Sequence, residues 1–362
     1  MPPSTLNRPV VSNPRPIITV DGQRFAKIDE LLLAFDLREQ EGGLASLELR
    51  FSNWASDADG GAGYAFEDEA AIHLGSTLVV SGGDLADSQE LFRGIVTGLE
   101  AEFTDAAPPE LVILAEDRLQ LARQVRRTEI YEQMSVADVV TRIAQRLSLQ
   151  PHITGLSDST GLWVQLNESD LAFLRRLLRQ YDAEVQIVAD RLEAMPISEI
   201  RRQSIELTLG SDLRSVRFIA DLAHQVTEVT SGGWNATSGE TVSGSAQGQA
   251  LGPGSGRRGS AILADFLSER SEHVGHIAVT SDGEAQALAD AVFDRRARSF
   301  VTAEGTASGH PAIRVGCHLR LGGVGPRFTN TYAIVSTHHR FDLREGYMTD
   351  FVATSAFLGT AA

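Results

Sequence analysis

Cysteine is nearly absent: Cys317 stands alone among 362 residues, so no disulfide within the chain can hold the fold. That fits folding in a reducing cytoplasm, and a lone cysteine inside a strand-like run reads as a small buried hydrophobe. Lysine is as scarce, with Lys27 the single one, and almost all positive charge is arginine. Positive charge is short overall. The net charge is −16, and a chain of that sign has no global field with which to grip DNA or an anionic membrane. Aromatic residues make up only 6%. No apolar run reaches the ~20 residues of a membrane-spanning helix, and the polar, proline-rich start MPPSTLNRPVVSNPRP lacks the layout of a signal peptide. Catalytic signatures are missing too: there is no G-x-S-x-G elbow, no H-E-x-x-H and no flanked carboxylate pair. The sequence therefore assigns no catalytic residue, no cofactor-binding residue and no metal ligand, and no cofactor is expected.

What is present is length enough for two or three domains and 33 glycines, a balance that favours turns and strands over a helical bundle. Residues 1–15 read as a flexible arm. From Pro16 a series of short strands follows: Pro16–Val20, Leu31–Arg38, Leu44–Ser52, Ile72–Leu74, Thr77–Ser81, Glu90–Phe103 and Leu111–Ala115. Ala55–Tyr64 reads as a loop between them. Short strands with turn signals at this density predict a small β-barrel over 16–125. Residues 126–200 read as an α+β connector. Ser135 caps its first helix, with Asp138 as the capping-box partner, and Val136, Val139, Val140, Ile143 and Leu147 form the apolar face.

The second connector helix lies within Gln165–Val188. Asn167 or Ser169 caps it, and Leu171, Leu174, Leu177, Leu178 and Tyr181 recur at helical spacing, broadened by Phe173. Arg175, Arg176 and Arg179 fall mostly off that stripe and face water, and Asp182 ends the helix. Nothing in it is catalytic; it reads as a structural helix docked on a sheet.

Residues 201–362 read as a second barrel. Ile205–Leu209 and Val216–Ile219 open it, and a strand through Val226 and Val229 ends at a Gly232–Gly233 turn. Residues 235–260, rich in Gly, Ser, Thr and Gln, read as a long loop or a flexible strand pair. Helix 284–298 points Leu288, Val292 and Phe293 inward and Arg295, Arg296 and Arg298 outward. Val301–Thr306, Ile313–Leu321 and a hairpin of Tyr332–Phe341 with Tyr347–Thr354 complete the barrel. Three candidate chemical motifs fail on context. Gly254–Gly259 spells G-x-G-x-x-G, but no buried strand precedes it, as pyrophosphate binding requires. His273 and His276 could meet only on a helix, which Gly275 weakens. His338 and His339 point to opposite faces of one strand and cannot easily share an ion.

The pattern Gln165, Ser169, Asp170, Phe173, Leu174, Leu177 resembles the Q-x-x-x-S-D-x-x-F-L-x-x-L signature of the phage late control gene D family. That family takes in baseplate hubs of contractile tails and the N-terminal half of type VI secretion spike proteins. Phe92 and Gly94 match its F-x-G strand. Gly309, Pro311, Gly316, Gly323, Gly325, Tyr332, His339, Gly346, Tyr347, Thr349 and Phe351 follow its C-terminal pattern in order.

The resemblance implies an α+β, mainly β fold: two tube-protein-like β-barrels joined by a small α+β insert. It implies a structural, non-enzymatic baseplate hub that forms a homotrimeric ring and adapts a six-fold inner tube to a three-fold spike. The partners expected are the inner tube protein, a separate spike protein and other baseplate proteins, since the chain stops after the second barrel. Specific nucleic-acid binding and stable membrane insertion are not expected. The protein would be made in the bacterial cytoplasm and leave in an assembled phage tail or injection particle. The alternative is a tail-associated cell-wall hydrolase or ligand-binding protein on a two-barrel scaffold.

Overall fold

The computed structural model describes residues 15–56, 61–67, 70–83, 88–157 and 160–359; the arm expected at 1–15 lies outside them except for Arg15. The chain is mainly β. Its largest element is a curled sheet of 12 strands, in which two six-stranded, barrel-like units are joined edge to edge.

The first unit contains, in chain order, Ile17–Val20, Leu32–Gln40, Ser46–Ser52, Thr77–Gly82, Gln89–Glu102 and Glu110–Asp117. The second contains Ser204–Thr208, Leu213–Ala220, Val301–Ser308, His318–Gly322, Asn330–Asp342 and Gly346–Ser355. When the six strands of each unit are numbered along the chain, both units show the same neighbour order: first, fourth, fifth, sixth, third, second.

The irregularities coincide as well. A bulge follows the start of the second strand in both, between Leu32 and Ala34 and between Leu213 and Ser215. A bulge interrupts the pairing of the fifth and sixth strands in both, at Thr97 and at Val335. Bulges bend a strand and raise its twist, which is how a sheet curls. Just before the fourth strand, Gly75 (φ 89°) and Gly316 (φ 82°) adopt the left-handed conformation that glycine alone takes without strain. Each donates its N–H to the fifth strand, Gly75 to Val96 O and Gly316 to Ile334 O, at 2.9 and 3.1 Å. One pairing differs: the first and fourth strands run antiparallel in the first unit and parallel in the second.

The units meet where Leu32–Gln40 pairs antiparallel with Asn330–Asp342, from Ala34 opposite Asp342 to Gln40 opposite Ser336. The bulge at Val335 divides the partner strand between two cores. Tyr332 and Ile334 face the second core, whereas Phe341 and, from the next strand, Tyr347 face the first. Phe35 and Phe341 stack across the joint at 6.2 Å.

The connector has its own core. Arg126–Ser135 and Thr160–Ser169 form a ribbon, on which pack α2 (Val136–Arg146) and α3 (Asp170–Leu178) after the short α1 (Ala26–Leu31) of the first unit. Three short strands, Gln150–Ile153, Ala183–Val188 and Arg191–Pro196, complete it. Ser135 and Asp138 form the expected capping box. The fourth core belongs to an insertion between the second and third strands of the second unit. There Glu228–Asn235, Glu240–Ala246 and Ser271–Val274 make a sheet that packs on α5 (Asp282–Arg298), while α4 (Gly259–Phe266) turns Ile262 to the core of the second unit.

Several local expectations are corrected. Ser169, not Asn167, caps α3, and its hydroxyl accepts from Ala172 N at 3.2 Å; Asn167 sits in a strand irregularity. The segment read as a loop over Ala55–Tyr64 contains paired strands, Trp54–Ser56 with Ala62–Tyr64. Ile72–Leu74 is no strand, because Ser76 N turns back to His73 O. Ile313–Leu321 becomes a strand only at His318, because Cys317 N turns back to Arg314 O before it. Helix α1 escaped the sequence reading; no side chain caps it and only Ile28 is buried.

Gly232 and Gly233 lie within a strand, not a turn. A Cβ at Gly233 would come 2.2 Å from Val279 O, and one at Gly244 would come 2.4 Å from Gln286 N. Of the segment 235–260, read as a loop or a flexible strand pair, Glu240–Ala246 is a strand paired with the preceding Glu228–Asn235, and the small residues that give this pair no apolar period are what lets it lie close to α5 and the segment before it. His273 lies in a strand and not on a helix with His276. Arg298, expected outward, is buried.

Candidate assembly joint and inter-module cleft

Two ion pairs, the first half-buried and the second buried, hold the modules together. In the first, Glu39 from the joint strand accepts two hydrogen bonds from the Arg314 guanidinium, one from Nε at 2.6 Å, and a third from Thr337 Oγ1 at 3.1 Å. Burial works to raise the Glu39 pKa, but the Arg314 charge and hydrogen bonds hold it below the usual carboxylate range. In the second, Arg298 at the end of α5 forks onto Asp182 at 2.5 and 2.6 Å. Asp182 takes φ 49° as it ends the short helical turn Arg179–Tyr181. The planar fork of arginine matches a carboxylate, so each pair sets orientation as well as attraction.

Beside the second pair, the turn after Gln40 is held from two sides. Gly42 N donates to Glu184 Oε2 at 2.8 Å, and Arg175 Nε donates to Gly42 O at 2.7 Å. Glu41 N bonds Val335 O at 2.8 Å. A cleft of about 830 Å³ opens here, lined by Glu41, Glu184, Arg201, Arg295, Arg298 and His318 among others. Burial, then the neighbouring Glu41, pushes the Glu184 carboxyl up to about 7. Burial also raises Glu41. The cleft is a polar seam in which arginines and backbone N–H groups hold carboxylates.

The residues of the motif resemblance fall into separate clusters. Gln165 is fully buried; its Nε2 donates to Asp170 Oδ1 and Glu168 O, and its Oε1 accepts from Tyr131 OH. Asp170 also accepts from Arg146 Nη1 at 3.0 Å. Phe173 stacks on Tyr131 at 5.4 Å, and Leu174 and Leu177 complete the connector core beside the Ser169 cap. Phe92 lies in the first core. Gly94 passes so close to the sixth strand that a Cβ would sit 2.2 Å from Glu116 O.

Around the joint, His339 Nδ1 lies 2.8 Å from Tyr347 OH and 3.2 Å from Thr349 Oγ1. Gly309 lies against Tyr347, and the N–H of the next residue, His310, donates to Thr349 Oγ1. Burial drives the His339 pKa down to about 3, so the ring stays neutral. Pro311 follows in the turn, and Phe351 packs in the second core against Gly305. Tyr332 is buried there, its hydroxyl donating to Phe328 O. Gly316, Gly323, Gly325 and Gly346 occupy turns or strand ends. Cys317 is buried, with its thiol pKa raised by burial. Among the described residues no group of His, Cys, Asp and Glu could hold a metal ion, and no helix is long and apolar enough to cross a membrane.

Sequence reasoning missed both ion pairs. Glu39 and Arg314 carry no local signal, being 275 residues apart. Arg298 had one, since it lies two helical turns beyond the buried Ala291 on the inner stripe of α5.

The family model that matches this chain is described as the Alg8 N-terminal domain, and it spans residues 57–342. The chain belongs to the Alg8 N-terminal domain family. No curated protein sequence matches it. Among solved structures it is similar to the 43 kDa tail protein of prophage MuSo2 from Shewanella oneidensis, with TM-score 0.68 and 11% identity over 94% of this chain and 98% of that one. A tail protein from Neisseria meningitidis MC58 gives TM-score 0.65 and 11% identity over 94% and 96%. The E. coli c3393 protein, described as a component of the type VI secretion system with structural similarity to bacteriophage T4 tail proteins gp27 and gp5, gives TM-score 0.60 and 14% identity over 95% and 79%. The Alg8 N-terminal domain chain thus shares the fold of tail and type VI secretion proteins, while its family model is not the late control gene D family that the motifs resemble.

Proposed function

We propose that this Alg8 N-terminal domain protein is a structural baseplate hub of a contractile injection machine, whether a phage tail, a tailocin or an extracellular injection particle. Three copies form a ring that adapts a six-fold inner tube above to a three-fold spike below, among other baseplate proteins. The observation that carries this reading is the duplication. Two units with one strand order and matching bulges sit edge to edge in a single chain, so three chains offer six equivalent modules to a tube. The likeness in fold to prophage tail proteins supports it, as does the motif resemblance to late control gene D proteins. The same reading places the protein in the assembled particle after synthesis in the bacterial cytoplasm, without a catalytic role, a cofactor, specific nucleic-acid binding or stable membrane insertion. The inter-module cleft favours joint over active site, because its Glu184 carboxylate is taken up by Gly42 N and the Arg298 guanidinium on its wall is taken up by Asp182.

The test is the mass of the purified protein by native mass spectrometry, alone and mixed with tube and spike proteins from the same source. A species of three times 39.0 kDa, alone or with the spike, is expected. A chain that stays monomeric with both partners present rules the hub out.

A further inference from the structure

The joint between the two units leaves one half-joint open at each end of the chain's own pair. Within the chain, the second strand of the first unit adds to the fifth strand of the second. It does so beyond the point where the fourth strand stops: His318–Gly322 covers Asn330–Ala333, and Leu32–Gln40 takes over from Ser336 to Asp342. The first unit has the same overhang without an occupant. Thr77–Gly82 covers its fifth strand only from Gln89 to Ile95, and among the described residues no strand pairs with the remainder, to Glu102, on that side. The second unit in turn has the same second strand without a recipient: among the described residues Leu213–Ala220 forms a ladder with Val301–Ser308 alone, apart from a single bridge between Leu213 and Leu209 at its start.

Resting on the hub reading, we infer that Leu213–Ala220 of one copy adds as an antiparallel strand to the Gly98–Glu102 overhang of the next copy. The matching bulges fix which residues correspond. Asp36 faces Arg340 inside the chain, and the equivalent pair between copies is Arg217 facing Glu102. Arg38 faces His338, and its equivalent is Ile219 facing Glu100.

Charge is complementary at both joints with the signs exchanged. Inside the chain Asp36 lies 2.5 Å from His338 Nε2, with Arg340 opposite it; between copies Arg217 would lie between Glu100 and Glu102. Arg217 waits largely free, its side chain 74% exposed and its nearest carboxylate, on Glu304, 3.9 Å away.

Burial points the same way. Thr337 and Phe341 are covered at the internal joint, while their counterparts Leu99 and Phe103 are 44% and 59% exposed. Trp54 and Tyr64 extend this exposed patch, with Tyr64 edge-on to Phe103 at 5.7 Å. Open edges that carry apolar side chains pair with another chain unless blocked, and no proline interrupts either segment. The contact is heterologous, one edge to a different one, so repetition gives a ring where the rotation between copies closes and a filament where it does not; the closed ring of three copies comes from the hub reading.

Cysteine pairing tests the register. Opposed Cα atoms in an antiparallel pair lie ~4.5–5.5 Å apart, within a disulfide's span, and the native Cys317 is buried. The double variant Ile219→Cys with Glu100→Cys, oxidised alone and with the tube and spike proteins, is expected to give covalent dimers and a closed trimer. Ile219→Cys with Leu166→Cys, both exposed and the latter in the connector, is the control that should not. An intact trimer by native mass without the Ile219–Glu100 cross-link overturns this interface and leaves the hub reading standing. A monomer without cross-links under every condition overturns both. As a second measure, Arg217→Glu should raise the concentration needed for assembly about tenfold, and adding Glu102→Arg should restore it. Unchanged assembly in the single variant contradicts the interface.

Discussion

The two barrel-like units share strand order, bulges and the glycine before the fourth strand, yet they fill their interiors differently. On the third strand the first unit buries Leu47, Leu49 and Phe51, whereas the matching positions of the second are Ala303, Gly305 and Ala307. The second unit compensates from its other strands, with Phe351 lying over Gly305 and Tyr332 beside it. Backbone geometry is thus kept where units must join, while packing needs only the right total volume. The second-to-third connection differs as much. It is a short turn at residues 41–45 in one unit, and in the other it holds the whole insertion with α4 and α5. The short turn lets the first unit reach the connector through Gly42, and the long insertion lets the second reach it through Arg298.

The largest expected effect breaks that second link. Asp182→Ala leaves the Arg298 guanidinium buried without its partner, and removal of one member of a buried pair costs ~3–5 kcal/mol. Denaturant unfolding should show that loss, and Asp182→Leu with Arg298→Met should recover much of it. Next come the contrasting third strands. Leu49→Ala should cost ~2–5 kcal/mol as a buried leucine truncation. At the matching position Gly305→Leu should cost ~1–3 kcal/mol or more through overpacking against Phe351, whose ring a Cβ alone would approach to 2.5 Å. Adding Phe351→Leu should return part of the loss, whereas the same change should not help Leu49→Ala.

The turn at Gly42 gives a pH signature. Glu184 is raised by burial to about 7 in the folded protein, against an unfolded value of ~4.3. A carboxyl raised on folding contributes stability in full below its unfolded pKa and loses it as pH rises through the folded one. Asp117, raised to about 7 mainly by burial, adds in the same direction. His339, lowered by burial to about 3, acts oppositely: its contribution falls as pH drops from ~6.5 towards that value. The isolating comparison is Glu184→Gln, which should lose less melting temperature than the parent between pH 5 and pH 8. Equal slopes would remove Glu184 from the account. The smallest effect is at the connector caps, where Ser135→Ala and Ser169→Ala should each cost ~1 kcal/mol, read as a shift in the urea midpoint.

Much of this was legible where signals are local. The Ser135–Asp138 box gave the start of α2 to the residue, and period-two alternation placed Leu47, Leu49 and Phe51 on one buried face. The duplication was not legible as matching residues, since the equivalent inward positions hold leucine or phenylalanine in one unit and alanine or glycine in the other. The strand at Glu240–Ala246 was hidden because close approach to α5 demands residues with no apolar signal. The joint itself brings together positions some 300 apart, which no local pattern records. The motif residues were found readily, and their environments explain them as packing and hydrogen-bonding positions: Gln165 bridging Tyr131 and Asp170, and His339 held by Tyr347 and Thr349.

Rotational averaging of negatively stained rings, isolated from the particle or assembled with the spike, tests the central claim most directly. The account predicts three chains and six barrel-sized lobes around one channel, with the internal and intermolecular joints alternating. A ring of six chains with twelve lobes, or a closed two-fold dimer, would contradict it.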